Sequence, residues 1–205
     1  MRLVPRERSW GSAGRVTERH AIVAAFDATA ALHREWASAH ADVLARAAAL
    51  MIAALAQGGR VLSFGNGGSA TDAQHLAAEL VGRFQMERRA WPALALTADS
   101  AIVTALSNDY GYDAVFVRQV QAHGRPGDVA VGITTSGASA NVTRGLIEAR
   151  SLGLHTIVLT GKDGGEAGRV ADVHLNVPSN STARVQEVHR TIVHVMCELI
   201  DKGLQ

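Results

Sequence analysis

Five short aliphatic runs, each separated from the next by a stretch of helical period, constrain this chain more than any other feature. The runs occupy residues 60–64, 93–97, 129–135, 156–160 and 173–177. They are apolar almost without interruption, as strands covered on both faces are. Between them, 69–84, 100–107, 114–122 and 139–152 carry helical periodicity, 166–170 reads as a short turn, and 182–202 as a closing helix. Strands alternating with helices predict an α/β architecture on a parallel, doubly wound sheet. Ligands of such sheets bind outside the carboxyl ends of the strands, near the point where strand order reverses. The segments that follow strand ends therefore carry the search for function.

Ahead of the first run, residues 17–33 and 40–57 are Ala-rich and free of Gly and Pro, and they read as two amphipathic helices, the second ended by Gly58 and Gly59. Residues 1–15, with Arg2, Arg6, Arg8 and Arg15, read as a flexible tail, which leaves 16–205 as a single domain. Hydrophobic residues at 47% against 19% charged are enough to offset the entropy of ordering, so bulk disorder is excluded. A net charge of +1 supplies no electrostatic footprint for nucleic acid. Cys197 is the only cysteine, which rules out an intrachain disulfide and a Cys-based zinc cluster; among Val195, Met196 and Leu199 it reads as core. The longest apolar run, 47–56, falls short of the roughly 20 residues a membrane span needs, and no apolar segment follows the N-terminal arginines as in a secretory signal. The expectation is a soluble cytoplasmic protein without a membrane or nucleic-acid partner.

Two loops look built for an anion. The first run ends in Gly65-Asn66-Gly67-Gly68-Ser69 before a helix, with Ser69 where an N-cap belongs. Glycines let the backbone approach a ligand, and the amides of a helix N-terminus attract negative charge. A tight strand-to-helix turn would use the same residues. A GxGxxA dinucleotide fingerprint is a weaker parse, because the first acid on the next strand, Asp99, comes later than the roughly 20-residue offset of a ribose partner. The third run ends in Thr134-Thr135-Ser136-Gly137-Ala138-Ser139, again before a helix. An N-cap at Ser139 explains one hydroxyl of this cluster; a nest for a phosphate monoester explains all of them. Gly161-Lys162 does not complete a Walker loop, because Thr156 stands where its first glycine is required.

GNGGSA with DAQHLAAEL on the following helix, TTSGAS followed by AN, LTGKDGG, and RVQEVHRTIVH near the end together resemble the sugar-isomerase (SIS) domain family over residues 40–202. The resemblance implies a flavodoxin-like five-stranded sheet flanked by helices with N-terminal helices added, a homotetramer with active sites shared between subunits, and one zinc ion per subunit. Within the family it points to isomerases of phosphorylated seven-carbon sugars, which convert sedoheptulose 7-phosphate to D-glycero-D-manno-heptose 7-phosphate at the start of nucleotide-activated heptose biosynthesis.

His75 and Glu79 lie at i and i+4, on one face of the helix after the first loop, a spacing at which they can share a divalent metal; surface His–Glu pairs are the commoner use of it. By the resemblance, Gln186 and His194 complete the ligand set and His189 is not a ligand. Eight residues of helix separate Gln186 from His194 by about 12 Å, so Gln186 with His189 is the easier geometric pair. The resemblance further implies Glu79 as the base and His194 as the complementary acid/base. It implies a sugar phosphate held by Asn66, Gly67, Gly68, Ser69, Thr134, Thr135, Ser136 and Ser139, with Asn108, Asp109, Gln186 and Glu79 along the sugar. Asn108-Asp109 follows a short helix and is otherwise a common turn. Ala183 stands where some of these isomerases carry an acid, so one sugar contact is either missing or supplied differently, while the metal set stays whole. His20, His33, His40, His123, His155 and His174 have no motif around them and read as surface or packing residues.

The rival from another class is a non-catalytic SIS protein that binds a partner such as a replication initiator. Such relatives lack equivalents of Glu79 and His194, both of which this chain has. A nicotinamide-dependent dehydrogenase rests on the GxGxxA parse alone and leaves the hydroxyl cluster unexplained.

Overall fold

In the computed structural model, residues 12–205 are described, with side chains from Thr17 onward. Seven α-helices and five strands follow one another as α1 (Ser12–Ala56), β1 (Val61–Gly65), α2 (Gly68–Val81), β2 (Ala93–Ala95), α3 (Ser100–Tyr110), α4 (Val115–His123), β3 (Val129–Thr134), α5 (Ala140–Ser151), β4 (His155–Gly161), α6 (Gly165–Val170), β5 (Val173–Val177) and α7 (Thr182–Gly203). The strands form one parallel sheet in the order β2-β1-β3-β4-β5. This is the flavodoxin-like order, and its switch point falls between β1 and β3. Gly65, the last residue of β1, lies beside Ile133 of β3, so both glycine- and hydroxyl-bearing loops leave the sheet side by side.

Side chains alternate across the sheet and build a core on each face. Val61, Val129, Val131, Ile133, Ile157 and Leu159 pack with α1, α2 and α7. Leu62, Phe64, Ala130 and Val158 point the other way, against helices including α4 and α5. The central strands β1 and β3 are buried along their whole length, which is why they read as continuous apolar runs; the edge strand β5 alternates buried and half-buried positions.

The two expected N-terminal helices are one. Nothing between Arg15 and Gln57 breaks a helix, so α1 runs unbroken past residues 34–39 to Ala56, and Gly58, at φ +83°, turns the chain just beyond it. Of the expected tail, residues 1–11 lie outside the described residues and the helix begins at Ser12. Over Thr17–Ala56 the unbroken helix also has the length and apolar composition of a membrane-crossing segment, which the ten-residue run did not foretell. Its C-terminal half packs as a core helix: Leu44, Ala47, Ala48, Met51 and Leu55 are buried. Trp36 stacks on His40 and donates its indole N–H to the Asn176 carbonyl, tying the helix to β5. The N-terminal half leaves Ile22, Val23 and Phe26 exposed.

Candidate active site

The two anion loops meet in a cavity of about 100 Å³ lined by Asn66, Ser69, Ile133, Thr134, Thr135, Ser136, Ser139 and Gln186. In the first loop, Gly67 is the N-cap of α2, with φ +57°, a conformation that a side chain at this position would strain. Ser69 is therefore not the cap: it sits in the first turn of α2 and is buried with the cavity. Asn66 exchanges amide hydrogen bonds with the buried Asn141 of α5, at 2.9 and 3.0 Å, and its Oδ1 also accepts from the Tyr112 hydroxyl at 2.9 Å. This locks the first loop to the helix that follows the second. Asn141 and Tyr112 were not singled out from sequence; only the Asn after TTSGAS could have signalled the pairing, and its partner lies 75 residues away.

In the second loop Ser139 does occupy the N-cap position of α5, but its side chain makes no capping bond. Its hydroxyl instead shares a 2.9 Å hydrogen bond with Thr134, whose hydroxyl lies 3.4 Å from that of Ser136. Gly137, at φ +67°, passes so close to Gly164 that a Cβ there would overlap its carbonyl oxygen, and its own carbonyl accepts from the Ala167 amide. The segment after β4 thus holds the hydroxyl loop from behind. This is the structural use of LTGKDGG.

The second group lies where α2 packs on α7. His75 Nε2 is 2.9 Å from His194 Nε2 and 3.3 Å from Glu79 Oε1. The two imidazole rings lie 5.0 Å apart, and the Phe84 ring packs 5.6 Å from that of His194. A nitrogen-to-nitrogen hydrogen bond requires one imidazole to offer a lone pair. Burial, reinforced by the Arg190 charge, holds His75 below the usual histidine range despite the opposing pull of Glu79, so His75 is neutral at neutral pH. The donor set of two imidazoles and a carboxylate fits zinc, and the nitrogens need only part by a few tenths of an ångström to reach the separation of about 3.3 Å set by Zn–N bonds of about 2.0–2.1 Å. His75 touches both His194 and Glu79, but among the described residues no group of three or more His, Cys, Asp or Glu is already arranged to hold a metal ion.

Gln186 is not drawn to this trio. Its amide lies over Gly68, where a Cβ would come within 2.4 Å of Nε2, and it lines the anion cavity. Between Gln186 and His194 on the same helix stands Arg190, bonded to the buried Asp72. His189 faces away from the site: it is buried, Nε2 donates to the Thr160 carbonyl, and burial lowers its pKa. The easier pairing of Gln186 with His189 is therefore not made. Asn108 and Asp109 lie within the last turn of α3 rather than in a turn after it; they are exposed, and the Asn108 amide bonds to the Asp109 carboxylate. Cys197 is core, its thiol pushed up to about 12 by burial. His174 and His33 are packing residues, bonded to Thr160 and Thr191.

Residues 26–161 match the SIS domain family. A phosphoheptose isomerase of Aquifex aeolicus is 55% identical over 163 residues, which span 80% of this chain and 85% of that protein. Among solved structures, phosphoheptose isomerases of Neisseria gonorrhoeae and Francisella tularensis are 44% and 40% identical and superpose with TM-scores of 0.85 and 0.87, each comparison covering 90% of this chain and 98% of the other.

Proposed function

Because this chain belongs to the SIS domain family, with phosphoheptose isomerases among its relatives, we propose that it converts sedoheptulose 7-phosphate to D-glycero-D-manno-heptose 7-phosphate, the first step toward a nucleotide-activated heptose. One observation carries the reading: a small hydroxyl-lined cavity suited to a phosphate stands along the α2–α7 seam from a half-buried His–His–Glu group suited to moving protons. A partner-binding role needs no such group.

The loops 66–69 and 134–139 hold the 7-phosphate through hydroxyls and helix N-terminal amides, and Gln186 reaches the same cavity. Remote binding energy of this kind aligns the reacting carbons. Glu79 takes a proton from C1 and returns it to C2. Its Oε1 faces His75, which leaves Oε2 for the sugar. His194 supplies a proton to the C2 oxygen and receives one from the C1 hydroxyl, so the ketose becomes an aldose with no net gain or loss of protons. His75, Glu79 and His194 are the residues that would hold one zinc per subunit; Gln186, the fourth donor by family resemblance, lies over Gly68 here and would have to turn toward the trio to join them. Bound there, zinc supplies polarisation of the carbonyl and its neighbouring hydroxyl.

We also infer a homotetramer with sites at subunit interfaces. Phe26 is 74% exposed on α1, and an apolar groove of about 370 Å³ runs between α1 and α7 past Trp36, Leu44, Ile192 and Leu199. Asn108 and Asp109, which do not line the anion cavity within one subunit, fit a role across such an interface. A charged sugar phosphate does not cross membranes, which supports a cytoplasmic location. The test is incubation with sedoheptulose 7-phosphate: an aldoheptose 7-phosphate is expected, and Glu79→Gln should lower turnover by about 10²–10⁴-fold. Absence of any product from zinc-loaded wild type would favour the partner-binding reading.

A further inference from the structure

Three segments distant in sequence converge on one side-chain amide. Asn66, between β1 and α2, meets Asn141 in the first turn of α5 and Tyr112 in the turn that joins α3 to α4.

One backbone amide fixes the direction of every hydrogen bond in this cluster. The Val142 N–H donates to Asn141 Oδ1 at 2.9 Å, and a peptide N–H cannot accept. Reversing the Asn141 amide would set its NH2 group against that N–H. Asn141, buried at 3% exposure, therefore turns Nδ2 toward Asn66 Oδ1, 3.0 Å away, and receives Asn66 Nδ2 on its own Oδ1 at 2.9 Å. The Tyr112 hydroxyl donates to the same Asn66 Oδ1 at 2.9 Å. An amide oxygen has two lone pairs, so Asn66 Oδ1 is filled. Asn66 Nδ2 carries two hydrogens, and among the described residues only one of them has a partner. Asn66 lines the anion cavity, and toward a ligand there its side chain can only donate.

A tie between the first loop and α5 is complete with the Asn66–Asn141 exchange alone. Tyr112 is exposed, and water could satisfy its hydroxyl equally well. Its bond to Asn66 removes the last acceptor position on that amide. An anion offers acceptor oxygens and is repelled by a carbonyl oxygen, so an amide locked this way round suits a phosphate, whereas a loop brace has no need of it.

We propose that Asn141 and Tyr112 are positioning residues: together they hold Asn66 with an amide N–H available to a phosphate oxygen and its carbonyl oxygen withheld. Neither lines the cavity, so both act through Asn66. The inference rests on reading this cavity as the phosphate site of the isomerase.

The test is calorimetric binding of inorganic phosphate to the full chain as wild type, Asn66→Ala, Asn141→Leu, Tyr112→Phe and the double variant Asn66→Ala with Asn141→Leu. Asn66→Ala should weaken phosphate binding at least about tenfold, through loss of a hydrogen bond to a charged group. Asn141→Leu, which keeps the branched shape without the amide, should weaken it comparably, and Tyr112→Phe by a smaller factor. In the Asn66→Ala background Asn141→Leu should cost nothing further, because residues in one network do not act additively. A residue that merely supports the loop would add its loss to that of Asn66→Ala, and such additivity would overturn the proposal. Wild-type affinity in either Asn141→Leu or Tyr112→Phe would overturn it too, since the lock needs both lone pairs filled. Should Asn141→Leu fail to fold, Tyr112→Phe, at an exposed position, carries the same cycle with Asn66→Ala. A wild type that binds phosphate and satisfies the cycle but leaves sedoheptulose 7-phosphate unchanged would overturn the isomerase reading and spare the positioning role. A wild type that binds no phosphate would overturn both.

Discussion

Replacing Asp201 by Ala should destabilise this protein more than its position far down α7 suggests. The Asp201 side chain is 3% exposed and that of Arg88 12%, and Nε meets Oδ1 at 2.8 Å. The other carboxylate oxygen accepts the amides of Gln85 and Met86. Arg88 in turn donates to the carbonyls of Glu79, Leu80 and Gly82, which close the last turn of α2. Removing one partner of such a buried pair leaves an uncompensated charge and costs about 3–5 kcal/mol. At about 2–4 °C per kcal/mol for a chain of this size, the thermal midpoint should fall by about 6–20 °C. The assay is thermal unfolding by circular dichroism at fixed protein concentration, since an oligomer's midpoint depends on it. Asp201→Asn, which keeps shape and one acceptor, should fall less. The pH dependence has a definite sign. Burial alone would raise the carboxyl pKa, but Arg88 and the two amides outweigh it and hold Asp201 below its ordinary value. A depressed carboxyl contributes stability fully above its unfolded-state pKa and loses it as pH falls through the folded-state value. Wild type and Asp201→Ala should therefore differ most at neutral pH and converge in acid. A midpoint shift below about 3 °C at neutral pH, or a gap between the two proteins that widens in acid, would refute this account.

Other predictions concern the site. Ser136→Ala with Ser139→Ala should weaken sugar-phosphate binding by about 1.5–3 kcal/mol for each hydroxyl that bonds the phosphate, read by calorimetry, with zinc content unchanged; unaltered affinity would count against the hydroxyl loop. His75→Ala should strip zinc from the purified protein, measured by elemental analysis, and identical zinc in both forms would remove His75 from the ligand set.

The parallel sheet was legible because burial on both faces makes β1 and β3 apolar throughout, and the switch-point loops were legible because glycines and hydroxyls cluster directly after strand ends. Helix periodicity likewise put His75 and Glu79 on one face of α2. The family motifs carried His194, which no local pattern distinguished from the equally helical His189. Only packing separates these two: His189 turns into the sheet and bonds to Thr160, while His194 meets His75, 119 residues away. Contacts of that range leave no periodic trace in the chain. The same holds for Asn141, which reads as an ordinary helix-start residue until it is paired with Asn66, and for Arg190, whose orientation depends on a buried carboxylate one helix away. The continuity of α1 was hidden for a different reason: residues 34–39 are polar enough to resemble a joint, but without Gly or Pro no local signal ends a helix, and contact with α7 and β5 decides that it continues. Local chemistry thus determined the strands, the loops and the helix faces, whereas the partners of each buried polar group were decided by which faces the tertiary structure pressed together.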